Sequence, residues 1–233
     1  MSKVTIITRT YNRLEYTVLC LRSIYDKSGF DDYTHIIVEQ GSTDGTREWL
    51  KSLLKEKYYK LKVVFNTVNS GDAGGMLDGY KQIDDDCKYV MQFDNDCQAI
   101  DNNFLKKLVY DMDNNTDIGI IMMKREGVTN SIRYVKKEKI NEDIYGTIDK
   151  ATCCMIIRRE TLDEINTWVT GEKIGWGFLI SSKIKKKGFR LLKSITNRVD
   201  HIDTTSGQIK KYPKYFNSKL KNTNYRKIDY NKI

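Results

Sequence analysis

Between residues 3 and 122, short β-branched apolar runs alternate with amphipathic stretches of helical period, and that alternation leaves few folds open. The runs at residues 3–8, 35–39, 61–65, 88–93 and 118–122 are five or six residues long, the length of buried strands rather than of helices. Between them, residues 14–25 put Leu14, Val18, Leu21, Ile24 and Tyr25 on one face. A second helix is expected from Thr43 or Asp44, as N-cap, to about Leu54. A third is expected over 76–83, and a fourth over 103–112 turns Phe104, Leu105, Leu108 and Val109 inward. Strands separated by helices are joined by crossovers. The expectation is therefore an α/β chain with a mostly parallel central sheet and helices on both faces.

After Met123 the rhythm weakens. Residues 131–135, 145–148, 151–157, 189–193 and 197–201 read as short strands, and Arg158 to Thr161 as a helix start. Residues 174–178 (I-G-W-G-F) form a glycine–aromatic loop leading into a helix that ends at Lys187, with Gly188 in its C′ position. With one proline and no repeat, the 233 residues read as a single domain. Its expected parts are a first half, 1–123, a second half, 124–209, and a mobile tail, 210–233.

Composition excludes several classes. No apolar run approaches the ~20 residues of a membrane helix. The five cysteines show no C-x-x-C spacing, and their odd number fits free thiols in a reducing cytoplasm. The net charge of +9 is unevenly placed: from Ser181 onward there are 15 Lys and Arg against three acids, leaving 25 basic and 28 acidic residues before it. Such a segment attracts phosphates, whether of a nucleotide, nucleic acid or an anionic membrane surface, although lysines on it can equally be solvated.

In an open parallel sheet, chemistry gathers at the carboxyl ends of the strands. Residues 89–96 (Y-V-M-Q-F-D-N-D) end an apolar strand in two carboxylates, Asp94 and Asp96, separated by Asn95. That is a hard oxygen site, suited to Mg²⁺ or Mn²⁺, which keep waters and complete their shells with substrate phosphates. Three other strand ends share the expected edge: residues 8–13 (T-R-T-Y-N-R), Glu39, and residues 69–75 (N-S-G-D-A-G-G). A dinucleotide-binding G-x-G-x-x-G and the G-x-G-x-R of nucleotidyltransferases are both missing after the first strand.

These four ordered motifs resemble those of the family 2 glycosyltransferases, which have the A-type fold. There the first strand ends in P-x-Y-N-R, the second in D-D-G-S-x-D-G-T and the third, in some members, in N-x-G-x-A-G-G, before the D-x-D. The resemblance covers residues 4–104. It implies transfer of a sugar from a nucleotide-diphosphate donor, UDP- or dTDP-type, to a hydroxyl of a glycan, lipid-linked or protein acceptor, with inversion and with Mn²⁺ or Mg²⁺. It implies that Thr8, Tyr11, Arg13, Glu39, Asn69, Gly74, Asp94 and Asn95 contact the nucleotide-sugar, with Tyr11 against the base and Glu39 accepting from its imide N–H. Asp94, Asp96 and the late His201 would hold the metal, and Trp176 would stack on the acceptor sugar. Lys183, Lys185, Lys186 and Arg190 would aid the diphosphate.

Three departures stand out. Gln40 replaces the second acid of the D-D pair, Thr8 or Arg9 stands where the family has proline, and no carboxylate occupies the E-D-x-D positions, which hold Trp176, Gly177 and Leu179. Glu172 is the best remaining catalytic base, with Asp163 and Asp203 behind it. The alternative is a non-catalytic nucleic-acid or anionic-surface binder on such a scaffold, its basic end interleaved with Tyr212, Tyr215, Phe216, Tyr225 and Tyr230.

Overall fold

The structure, a computed structural model, describes residues 3–56, 60–126, 137–140, 143–163, 176–202 and 210–213. In chain order its elements are β1 (Val4–Thr10), α1 (Leu14–Lys27), β2 (Tyr33–Gln40), α2 (Thr46–Lys55), β3 (Leu61–Asn66), α3 (Gly71–Tyr80), β4 (Tyr89–Gln92) and β5 (Cys97–Ala99). They continue as α4 (Phe104–Asn114), β6 (Ile118–Glu126), β7 (Lys137–Ile140), β8 (Asp143–Thr147), β9 (Met155–Arg158), α5 (Arg159–Asp163), α6 (Trp176–Lys186) and β10 (Arg190–His201).

All the strands join one open sheet in the order β3-β2-β1-β4-β9-β6-β10-β8-β7, with β5 on β10. The first four are parallel, joined by α1, α2 and α3. The expectation of a mostly parallel sheet holds only for that half. β9 runs antiparallel to both β4 and β6, and β5, β7 and β8 also pair antiparallel, so the sheet is mixed. The physical reason is connection length: short links such as that between Ile140 and Asp143 allow only antiparallel neighbours.

Two apolar layers cover the sheet. One gathers Ile6, Met91, Phe93, Phe104, Leu108, Ile121 and Leu192, and the other Ile7, Val38, Met76, Val90, Ile157, Trp176 and Ile180. All five cysteines are buried free thiols, as expected. Among the described residues no helix is long and apolar enough to cross a membrane.

Several boundaries differ from expectation. α3 starts at Gly71 rather than near Met76, so Gly74 and Gly75 lie inside the helix. α2 starts at Thr46 with Gly45 at its N-cap, while Asp44 Oδ1 accepts from the Thr46 amide at 3.1 Å and so does the capping. The two expected strands 189–193 and 197–201 are one strand, β10, with a bulge between Lys193 and Arg198. Gly188 ends α6 with φ +89, as its C′ role requires. The expected strand at 131–135 lies outside the described residues.

Candidate active site

In the order β3-β2-β1-β4 the chain leaves β1 toward β2 on one side, and β4 enters on the other. The crevice at such a reversal, beyond the strands' carboxyl ends, is where ligands bind in open α/β sheets. Tyr11, Arg13, Glu39, Asn69, Asp94 and Asp96 all lie on this one edge.

After β1, Asn12 and Arg13 are both left-handed, with φ 56 and 63. That conformation costs a non-glycine residue on the order of 1 kcal/mol or more, and the loop after β2 holds it in place. The Asn12 amide donates to Ser42 Oγ and the Thr43 amide to Asn12 Oδ1, both at 2.8 Å, while the Leu14 amide donates to Asp44 Oδ2 at 2.9 Å. The turn leaves Tyr11 half-buried at the rim. It sends the Arg13 side chain, 5% exposed as a residue, down to the D-x-D. There Arg13 Nη1 donates to Asp96 Oδ2 at 3.0 Å and Nη2 to Asn95 Oδ1 at 2.9 Å.

A second arginine, not singled out in the sequence, reaches the other carboxylate. Arg9 Nη2 donates to Asp94 Oδ1 at 3.0 Å, which also accepts from Gln92 Nε2 at 2.7 Å. Arg9 also pairs with the Asp72 carboxylate at the head of α3 and donates to the Asp72 carbonyl at 3.0 Å. Asp72 Oδ2 in turn accepts from the Trp176 amide at 3.1 Å, capping α6 from a distant helix. An arginine replacing the family's proline, and an acid inside the glycine run, were the signals available for this relay.

His201 arrives from far along the chain. After Asp96 the chain turns into β5, which pairs with the end of β10 and sets His201 opposite Cys97. The Ile202 amide donates to the Asp96 carbonyl at 2.8 Å, and His201 Nε2 lies 3.6 Å from Asp96 Oδ2. Among the described residues no three His, Cys, Asp or Glu side chains gather around one metal position. Asp96 and His201 converge as two, and Asp94 Oδ2 takes no hydrogen bond among the described residues. Such a set fits a hard octahedral ion that keeps waters and uses few protein ligands.

Other expected contacts are absent from this geometry. Thr8 is buried and shares a 2.9 Å hydrogen bond with His35 Nε2. Burial pushes the His35 imidazole down to about 3, leaving it neutral and structural. Asn95 is also buried, and its amide nitrogen donates to Thr17 Oγ1 at 3.2 Å, so it braces the turn rather than facing a ligand. Glu39 is 0% exposed; it accepts from the Ser42 amide and, at 2.7 Å, from Arg47 Nη1, which closes it to an incoming imide. Gln40 ties the β3–α3 turn by accepting from the Ser70 amide at 3.0 Å.

Asn69 is exposed and accepts from the Gly71 amide at 2.9 Å, an Asx turn that starts α3. A Cβ at Gly74 would lie 2.7 Å from Ser70 Cβ, and one at Gly75 3.1 Å from Arg9 Cγ. Both glycines serve close packing rather than a phosphate cradle. Trp176 is 1% exposed and packs in the core, so its ring offers no face to an acceptor.

Asp163 follows β9 at the opposite edge of the sheet, with the Tyr80 hydroxyl donating to it, and is no base for this site. Lys183, Lys185 and Lys186 lie in the last turn of α6, which feeds β10 at that far edge, where Arg190 pairs with Asp117. Glu172 and Asp203 lie outside the described residues. At the C-terminal end, Lys211 and Tyr212 dock on α1: Lys211 Nζ lies 2.8 Å from Glu15 Oε1, and the Tyr212 ring meets Tyr16 edge-on at 5.3 Å.

A sheet of this order, with paired carboxylates and a histidine at its switch point, places its ligand crevice at the carboxyl ends of β1 and β4. Residues 5–166 match the model of glycosyl transferase family 2, so the chain belongs to that family of sugar-transferring enzymes. It is 26% identical over 196 residues to the teichoic acid poly(glycerol phosphate) polymerase of Staphylococcus epidermidis, covering 77% of this chain and 26% of that protein. The chain thus spans about a quarter of that curated relative's length.

Among solved structures, S. aureus TarS 1-349 superposes with TM-score 0.66 at 19% identity, over 86% of this chain and 60% of that one. GalNAc-T7 with UDP, GalNAc and Mn²⁺ gives 0.71 at 16%, over 88% and 44%. The mannosyltransferase PcManGT from Pyrobaculum calidifontis, with GDP-Man and Mn²⁺, gives 0.67 at 15%, over 94% and 64%. At these identities the likeness is one of fold, the A-type fold expected.

Proposed function

We propose that this chain transfers a sugar from a nucleotide-diphosphate donor to a hydroxyl acceptor, with inversion, using Mn²⁺ or Mg²⁺ held by Asp96, His201 and Asp94; with Glu39 closed by Arg47, the UDP- or dTDP-type preference loses the contact it rested on. The observation that carries this is the convergence of Asp96 and His201 at 3.6 Å on the edge that also bears Asp94 and Tyr11. When bound, the ion neutralises charge on the departing nucleoside diphosphate. Tyr11, half-buried at the rim, offers the base a flat apolar face at little ordering cost. Arg9 and Arg13 hold the carboxylates in place while no ion is bound, and their guanidinium groups are then within reach of diphosphate oxygens. Glu172 is proposed to take the proton from the accepting hydroxyl. The Mn²⁺ seen with two of the similar structures, and the UDP and GDP-Man seen there, agree with a divalent ion and a nucleotide-sugar without choosing the base.

The test is a nucleotide-sugar panel read by thermal shift with and without Mn²⁺, since a ligand raises apparent stability by mass action. At least one donor should raise the melting temperature only with Mn²⁺, and Asp96→Ala should abolish the rise. A chain that no donor stabilises, with or without metal, would remove the catalytic reading. Glu172→Gln should then bind donor normally but not turn it over; full turnover by that variant would dismiss Glu172 as the base. Of the basic segment, Lys211 and Tyr212 are turned onto Glu15 and Tyr16, an arrangement that lends the nucleic-acid reading no support.

A further inference from the structure

The arginine that stands where the family has proline reaches further than the D-x-D. Ile7, Gln92 and Met155 are register neighbours across β1, β4 and β9, so their side chains share one face of the sheet. Arg9, two residues beyond Ile7, is on that face too, and α3 and α6 pack against it through Met76, Trp176 and Ile180. The Arg9 stem runs under α3, where a Cβ at Gly75 would stand 3.1 Å from Arg9 Cγ. Its guanidinium is divided between two carboxylates: Nη2 donates to Asp94 Oδ1 at 3.0 Å, and Nη1 pairs with Asp72 Oδ1.

That division has an electrostatic consequence. One cation between two carboxylates leaves the three groups with one net negative charge, whereas Arg9 on Asp94 alone would leave none. Asp94 is held by one oxygen only, since Arg9 Nη2 and Gln92 Nε2 both donate to Oδ1. Asp72 also reaches the second half of the chain, its Oδ2 accepting at 3.1 Å from the amide of Trp176, the first residue of α6. Asp94, Arg9, Asp72 and the head of α6 are thus joined in series. The Asp72 side chain is 50% exposed, so water screens its direct field at Asp94, while Arg9 is 11% exposed and is screened far less. Asp72 therefore acts on Asp94 chiefly through where it holds Arg9.

We infer that Asp72 is a positioning residue for the divalent-ion site. It holds Arg9 back from Asp94, so that Asp94 keeps charge for the ion, and it ties occupancy of that site to the head of α6. This rests on the metal reading proposed above. Arg9, repelled by a divalent cation at Asp94, is pressed onto Asp72, and an Asp72 held more tightly caps α6 more firmly. Such coupling is reciprocal, so order at the head of α6 in turn favours the ion.

The experiment follows Mn²⁺ alone, by loss of its free EPR signal, on the full chain without nucleotide, with Asp96→Ala marking the binding that belongs to this site. Asp72→Asn and Asp72→Ala both remove the charge and should each weaken Mn²⁺ about tenfold. Arg9→Met should strengthen it. With Arg9→Met already present, Asp72→Asn should change Mn²⁺ affinity by no more than about twofold, because its effect runs through the arginine. Mn²⁺ should also slow hydrogen exchange of the Trp176 amide in the parent chain and leave it unchanged in Arg9→Met. If Arg9→Met does not fold, as its melting curve will show, Arg9→Gln takes its place.

Any of five results would overturn the inference: unchanged Mn²⁺ affinity in Asp72→Asn, an equal loss with and without Arg9, a loss in Asp72→Ala that Asp72→Asn does not share, weaker binding in Arg9→Met, or Trp176 exchange indifferent to Mn²⁺. A parent chain with no Asp96-dependent Mn²⁺ binding would instead remove the metal reading itself, and the role of Asp72 with it.

Discussion

Replacing Arg13 by methionine tests whether the two arginines act as stand-ins for the metal. Arg13 and Asp96 side chains are 6% and 16% exposed, and the guanidinium also satisfies Asn95 Oδ1. Removing one partner of a buried pair costs about 3–5 kcal/mol because the other charge is left uncompensated. The residual exposure of Asp96 lets water recover part of this, so about 2–4 kcal/mol is expected in metal-free protein. In a chain of this size that is a fall in melting temperature on the order of 5–15 °C. Because Asp96 would then lack its counter-ion, Mn²⁺ should stabilise Arg13→Met more than it stabilises the parent chain.

Arg13→Gly separates charge from backbone. It loses the same ion pair but relieves the left-handed φ of 63, and should be about 1 kcal/mol more stable than the methionine variant. Denaturant titrations of the parent chain and both variants, with and without Mn²⁺, measure these differences. A loss below about 0.5 kcal/mol, or equal Mn²⁺ stabilisation of variant and parent, would refute the counter-ion argument.

Three further outcomes follow from other parts of the site. Gly79→Ala places a Cβ 2.7 Å from Ile7 Cγ2 and should cost about 1–3 kcal/mol by overpacking, whereas Gly71→Ala meets nothing within 4 Å and should cost only the strain of φ +76; urea melts that show equal losses would contradict this. His35 is held neutral with its pKa depressed to about 3, so its contribution is present above the unfolded value of about 6.5 and is lost as pH falls toward 3. The stability curve should therefore lose part of its acid-side slope in His35→Gln, and an unchanged slope would speak against it. Asp72→Ala should speed hydrogen exchange of the Trp176 amide while Asp72→Asn, which keeps the acceptor oxygen, largely preserves its protection; matching rates in the two variants would show that Asp72 does not cap α6.

What could be read from residues alone was whatever repeats along the chain. The β-branched runs and the strand-end motifs placed Asp94, Asp96, Tyr11 and Arg13 on one edge, because parallel strands joined by crossovers must put their carboxyl ends together. Glu39 and Asn95 sit on that edge too, but turned inward, since a motif gives position and not direction. Whether a strand-end acid faces ligand or braces a turn depends on a partner such as Arg47, eight residues away in sequence and unmarked by any pattern.

The second half was harder for a related reason. β5 is three residues long, too short for periodicity to show, yet it brings His201 to Asp96; β9 was read within 151–157, but no pattern marked that it runs antiparallel between β4 and β6.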